Sequence, residues 1–321
     1  MGDAVRTAPI FALLATVFAC ALFAAPAFAQ RDRVFVASYG SDSNPCTFGS
    51  PCKTFQHAHD AVAPSGEITA IDSAGFGPLT ITKAVTVTSP DGVEAGIATP
   101  GDQNAININA GVSDAVVLHG LTIDGANAAV DGIAFGSGKS LIISNCVIRN
   151  FTFGGIVLNA LQSHTELTDS TIENNGRYGV YDAPVGAGAT FNFDHVRFLG
   201  NITAGISVQD QNTGPLTRIL ATGSNSFAAG NGIGFEAVSH TLNVELILDN
   251  VTAVGYTTEG LHSEGASILL GRSFIANNST RDGYLIENNG SQSGAIVSAG
   301  DNLIWDGPLG NSFQTQPGIV Q

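Results

Sequence analysis

Three glutamates, Glu236, Glu264 and Glu287, each stand four residues after a glycine in a phrase that recurs along the chain. The phrase is a Gly, an apolar residue and a short run of strand formers. It occurs at Gly132, Gly155, Gly179, Gly205, Gly232, Gly260 and Gly283, with spacings of 23, 24, 26, 27, 28 and 23 residues. The same position reads Asn159, Ala183 and Gln209 in the earlier repeats. With Ile233 and Phe235 turned inward, alternation turns Glu236 outward, and the same count turns out Gln209, Glu264 and Glu287. Tyr181, Ser207 and His262 lie two residues earlier in their strands and face the same way. Repeats stacked at strand spacing would hold the three carboxylates about 5 Å apart in one column. Like charges that close compete for ionisation, so Glu264, flanked on both sides, is the natural general acid and Glu236 or Glu287 the ionised partner. A separation of roughly 5–5.5 Å suits retaining glycoside cleavage, and it suits a Ca²⁺ site equally. The plain alternative is three solvated carboxylates fanned apart by water and salt. Tyr181, Ser207, Gln209 and His262 are the candidate binding residues beside them.

The repeats define the elements that must position this column. A second phrase, a strand broken by a polar corner, precedes the later glycines: Leu141–Ile148, Leu167–Ile172, Phe193–Phe198 and Leu248–Val251. Each period therefore holds three strands, and one period is too short to bury its own apolar face, so periods must stack. The expected fold is a single-stranded right-handed parallel β-helix of roughly 9–10 coils. Ile156, Val180, Ile206 and Ile233 are expected to form one inward column. The corner residues Asn145, Asp169, Asp194 and Asp249 should form a turn ladder whose short polar side chains satisfy backbone groups. Sequons such as Asn201-Ile202-Thr203 read as by-products of this turn chemistry. Phe55, Ala58, Ala61 and Val62 lie at helical spacing and predict a short helix that caps the N-terminal end. The organisation expected is a leader over 1–29, a capping segment over 30–65, the β-helix over 66–307 and a tail over 308–321.

Composition narrows the partners. The formal charge is −15, with 27 acidic residues against 12 Lys and Arg. That field argues against nucleic acid, whose phosphates need basic side chains, and against an anionic membrane surface. Arg6, the apolar stretch Ile10–Ala24 and Ala27-Phe28-Ala29 read as a signal peptide cleaved before Gln30. The mature chain is expected to be secreted or periplasmic, monomeric and free of the membrane. Cys20 leaves with the leader. An oxidising compartment makes a Cys46–Cys52 disulfide the natural pairing, worth about 2 kcal/mol. Cys146 is left as a buried thiol. His57 and His59 are two apart on the helix and cannot share a metal on one face. No metal or cofactor is indicated.

The entry segment Val34-Phe35-Val36, Gly40–Thr47, Pro51–Phe55 and Gly66-Glu67-Ile68 resembles that of pectate-lyase-like right-handed β-helix proteins. The coil phrases extend the resemblance over almost the whole mature chain. In that family the strand after the glycine borders the substrate groove, which implies a groove along the Glu column. The family's catalytic phrases are matched only in fragments: Asn212-Thr213-Gly214, Arg218-Ile219-Leu220, Phe193-Asp194-His195 and Leu270-Gly271-Arg272-Ser273-Phe274 each lack working residues. One scaffold carries many activities. The resemblance therefore implies an exported, carbohydrate-interacting protein without a recognised catalytic motif. The alternatives are a polysaccharide hydrolase or lyase that uses the Glu column, and a structural surface protein.

Overall fold

The computed structural model describes residues 30–99, 101–184, 188–210, 218–240, 244–276, 284–286 and 295–305. The leader and Glu287 lie outside them. The chain winds through three parallel sheets, with successive coils adding one strand to each. Among the described residues, the first sheet has 11 strands, from Arg31–Val36 to Ala295–Ser298. The second has 9, from Leu79–Ile81 to Tyr284–Ile286, and the third has 10, from Ala74–Gly75 to Leu303–Trp305. Parallel strands joined by such crossovers wind right-handed, so the expected right-handed β-helix is the fold found.

The helix is Phe55–Ala61. Thr54 caps it, its hydroxyl accepting from the His57 N–H at 3.2 Å. Phe55 and Ala58 are buried as the spacing required, and Phe55 packs on Phe76 with ring centroids 5.0 Å apart. His59 is also buried, and its Nε2 accepts from the Thr82 N–H. Burial holds its pKa below the ordinary imidazole value. Cys46 and Cys52 form a disulfide with Cα atoms 4.6 Å apart.

The core consists of stacked columns. Ile156, Val180 and Ile206 stack as expected, but the next residue is Phe235, not Ile233, which pairs with Ala204. The cause is the doubled glycine Gly232-Ile233-Gly234. The recurrent glycines form a column of close backbone approaches: Gly132, Gly155, Gly179, Gly205, Gly234 and Gly260. A Cβ on any of the first five would stand 2.4–2.8 Å from the carbonyl oxygen of the next. Gly234, not Gly232, meets that requirement. Gly179→Ala should cost about 1–3 kcal/mol, because the clashing Gly205 oxygen is backbone and cannot rotate away. Thermal unfolding of that variant checks the ladder, and Gly75→Ala, which meets nothing within 4 Å, is the matched control.

The polar corner is also offset from the expected column. The left-handed residues are Asn145, Asp169, His195, Asn225, Asn250 and Arg272, with φ between 48° and 54°. Asp194 and Asp249 come one residue earlier, in register with Ser224 and Gly271. Just after this corner, Ser170, Ser226 and Ser273 each accept a backbone N–H from the preceding coil and donate to the carbonyl two residues back. Cys146 occupies the same place, its thiol 3.3 Å from the Ser144 oxygen. Burial pushes that thiol up to about 11, which makes it a structural substitute for serine and not a nucleophile.

A second ladder, of asparagines, runs inside the other corner. Asn175, Asn201 and Asn231 are fully buried, and each amide oxygen accepts both from the preceding coil's backbone and, for Asn201 and Asn231, from the preceding Asn side chain. Phe151 lies next to the ladder at one end, its N–H bonded to Asn175, and Tyr256 follows Asn231 at the other. The Asn201 side chain of the sequon is thus consumed by the core. Among the described residues, no helix is long and apolar enough to cross a membrane.

Candidate functional site

The outer face of the second sheet gathers the chemistry. Its central strands are Gly154–Leu158, Tyr178–Asp182, Ala204–Gln209, Ile233–Val238 and Glu259–Glu264. One outward row runs Val157, Tyr181, Ser207, Glu236, His262. A row at the strand starts runs Asp131, Gly154, Tyr178, Ala204, Ile233, Glu259.

This register corrects the carboxylate column. Glu236 pairs with Ser207 on one side and His262 on the other, while Glu264 pairs with Val238 and Ile286. The two glutamates are therefore two positions out of step and do not stack. Counting from Gly232 instead of Gly234 displaced Glu236 by two residues. Glu264 is half-exposed at the strand end, and Glu287 lies outside the described residues. What the register does bring together is Glu236 with Tyr181, Ser207, Gln209 and His262. Gln209 donates to Ser207 Oγ at 2.8 Å and to Glu236 Oε2 at 3.4 Å, and accepts from the Tyr181 hydroxyl at 3.4 Å.

Two features of this face were not read from the sequence. The first is a buried histidine–carboxylate hydrogen bond. His262 Nδ1 lies 2.5 Å from Glu259 Oε2, and the residues are 7% and 4% exposed. Burial alone would pull the imidazole pKa down, but the Glu259 bond and charge, with Glu236 and Glu264 nearby, hold it above the ordinary value. Residues three apart face opposite ways on an unbroken strand, but Gly260 sits in the column of close approaches, and the alternation breaks there. The second is an aromatic platform. Tyr178 and Tyr181 stack at 4.7 Å, and Phe153 meets them edge-on at 5.6 and 5.7 Å. The Arg177 guanidinium lies over Phe153 at 5.5 Å. Burial, and then the charge of Glu236, raise both tyrosine hydroxyl pKa values. At the other end of the face Asp131 is pushed up to about 6 by burial, against the opposing Gly154 N–H.

Other clusters are accounted for by structure. Cys46, Cys52 and His57 lie close enough to share a metal ion, but the two sulfurs are bonded to each other. Asp194 and His195 pair at 2.6 Å at the corner between the first and third sheets, away from the platform. Asp194 is held below the ordinary carboxylate range by bonds from Ser224, Asn225 and His195 that outweigh its slight burial.

Residues 98–218 match a family described as a right-handed β-helix region. Among solved structures, the chain is similar to pectate lyase Pel9A, with a TM-score of 0.65 and 16% identity over 89% of this chain and 83% of that one. It is similar to a rhamnogalacturonan lyase, with a TM-score of 0.63 and 13% identity over 79% and 75%. A complex of XylC with xylose superposes with a TM-score of 0.53 and 10% identity over 84% and 74%. No curated protein matches the chain in sequence. At these identities the likeness is one of fold.

Proposed function

We propose that this right-handed β-helix protein, pectate-lyase-like in fold, binds a polysaccharide along the outer face of its second sheet. The observation that carries the reading is the aromatic platform of Phe153, Tyr178 and Tyr181 beside Glu236 and the Glu259–His262 pair. Sugar rings present apolar C–H faces that stack on aromatic rings, and their hydroxyls need donors and acceptors at the rim. Ser207 and Gln209 supply those one coil beyond the tyrosines, and Glu236 two coils beyond. Three neighbours of similar fold whose names include two lyases and a xylose complex support the same direction. The leader Arg6–Ala29 supports a location outside the cytoplasm, where polysaccharides are met. In this reading the mature protein is secreted or periplasmic, acts as a monomer and uses no nucleic acid.

The test is a glycan array with the mature protein, repeated with Tyr181→Ala. The wild type should retain at least one polysaccharide, and the variant should lose about ten-fold or more in affinity, near 1.4 kcal/mol for one stacked ring. A blank array for the wild type would return the protein to a structural role.

One observation favours a second reading, polysaccharide cleavage. Glu236 and His262 are adjacent across the ladder, and Glu259 orients the imidazole and raises its affinity for a second proton. A carboxylate base next to an imidazolium acid is the pairing that general acid–base chemistry requires. Glu236→Gln should then abolish release of new reducing ends from the retained polysaccharide while the folded protein still binds it. No release by the wild type would end this reading and leave the binding one intact.

A further inference from the structure

We infer that the glycan taken by this face carries protonated amines, as a glucosamine-type chain does, and that uronate chains are rejected. The inference rests on the binding reading above and names its substrate class.

The charges on the face are lopsided. Asp131, Glu236, Glu259 and Glu264 lie along its rows, which span roughly 24 Å from Asp131 to Glu259 at five strand spacings. Among the described residues, two basic groups lie beside them. His262 is committed to Glu259 at 2.5 Å, and Arg177 is exposed with its guanidinium on Phe153. His262 also feels Glu236 and Glu264, but one imidazole shared among three carboxylates leaves the acidic groups in excess. Glu236 is more than nine-tenths buried, yet its bond within the described structure is a single long one from a neutral amide, Gln209, at 3.4 Å. A buried carboxylate is ordinarily paired or multiply hydrogen-bonded. Neither Glu236 oxygen is fully buried without a partner, so its remaining acceptor capacity reaches the surface, where a ligand donor can replace water.

An ammonium group fits this position on three counts. It donates up to three hydrogen bonds to a carboxylate, and it supplies the missing counter-charge. It is also attracted to the faces of Tyr178 and Tyr181. The negative charge of Glu236 is already felt by both tyrosine hydroxyls, whose proton affinities rise in its presence. A uronate carboxylate on the same platform would meet Glu236 with like charge at close range, in a site partly withdrawn from water. The whole chain's field, at −15, acts in the same direction on approach.

The experiment is calorimetric titration of the mature protein at mildly acidic pH with tetramers of glucosamine, N-acetylglucosamine and galacturonate. The glucosamine tetramer should bind at least about ten-fold more tightly than its acetylated counterpart, with galacturonate weakest. Glu236→Gln should bring the amine and acetyl forms toward parity. Glu264→Gln, at the half-exposed rim, should reduce the preference without threatening the fold. Equal binding of the two hexosamine forms, or tighter binding of galacturonate, would overturn the amine assignment while leaving glycan binding in place. Loss of all three ligands in Tyr181→Ala supports the platform itself. If wild type binds none of the three while the array retains another polysaccharide, the amine assignment fails alone; if the array is blank as well, or Tyr181→Ala binds as wild type does, the binding reading fails and the amine assignment with it.

Discussion

Asp182→Asn should stabilise the protein most at pH 8, less at pH 5 and hardly at all below about pH 4. Asp182 points into the coil, in the inward row Phe135, Leu158, Asp182, Val208, Ala237, Ser263. It is 1% exposed, and its Oδ2 has no hydrogen-bond partner. Burial without compensation pushes its pKa up to about 7. The folded state therefore holds this proton more tightly than the unfolded chain, whose carboxyl titrates near its ordinary 3.8. Stability is then fully present below about pH 4, falls as pH rises, and is lost once pH passes the folded value near 7. A displacement of about three pH units corresponds to roughly 4 kcal/mol at 1.36 kcal/mol each.

The amide has the size of the protonated acid and does not ionise, so it removes this slope. His262 and Asp131 also have raised pKa values, and their contributions are likewise lost as pH rises through the folded values. They remain in the variant, so the difference between the two proteins isolates Asp182. Denaturant unfolding at pH 5 and pH 8 measures it. Parallel losses in wild type and variant would show that Asp182 is solvated or paired and does not carry the effect.

That carboxyl was legible in the sequence. Asp182 lies two residues after inward Val180, so alternation alone places it in the core. The coil repeat and its three strands were equally legible, because stacking forces equivalent residues to recur at one period. Register was legible only where the repeat carried a single marker. Gly232-Ile233-Gly234 offers two glycines, and only the close approach to the Gly260 oxygen identifies the second as the member of the column. Choosing the first moved Glu236 next to Glu264 and hid its real neighbour, His262. The aromatic platform was illegible for a different reason. Phe153, Tyr178 and Tyr181 are 25 and 3 residues apart, and no local pattern joins them until the coil length between Gly155 and Gly179 is fixed. The Asn ladder was hidden by chemistry. An Asn after a corner reads as turn or sequon, and its burial depends on the coil above presenting a matching Asn.

Asn201→Ala should cost about 4 kcal/mol or more, the largest loss expected from any single truncation in the polar core. The side chain is fully buried in the middle of the ladder. Its Oδ1 accepts from the Asn175 N–H at 3.2 Å and from Asn175 Nδ2 at 2.9 Å. Its Nδ2 donates to the Ile172 carbonyl at 3.2 Å and to Asn231 Oδ1 at 3.0 Å. Alanine leaves the two Asn175 donors and the Ile172 acceptor without these partners inside the coil. Each buried group stripped of its partner costs about 1–3 kcal/mol, and the vacated volume adds to the loss. Chains of such bonds polarise one another, so removing the middle member should cost more than the terminal change Asn231→Ala, which keeps the Asn175–Asn201 link. The neighbouring Asn174 gives the control. It is exposed with φ 55°, so Asn174→Gly suits its backbone and should be close to neutral. Unfolding midpoints of the three variants rank the positions. A loss at Asn201 no larger than at Asn174 would mean that water enters the corner and replaces the ladder, and the coil would then be held by its apolar columns alone.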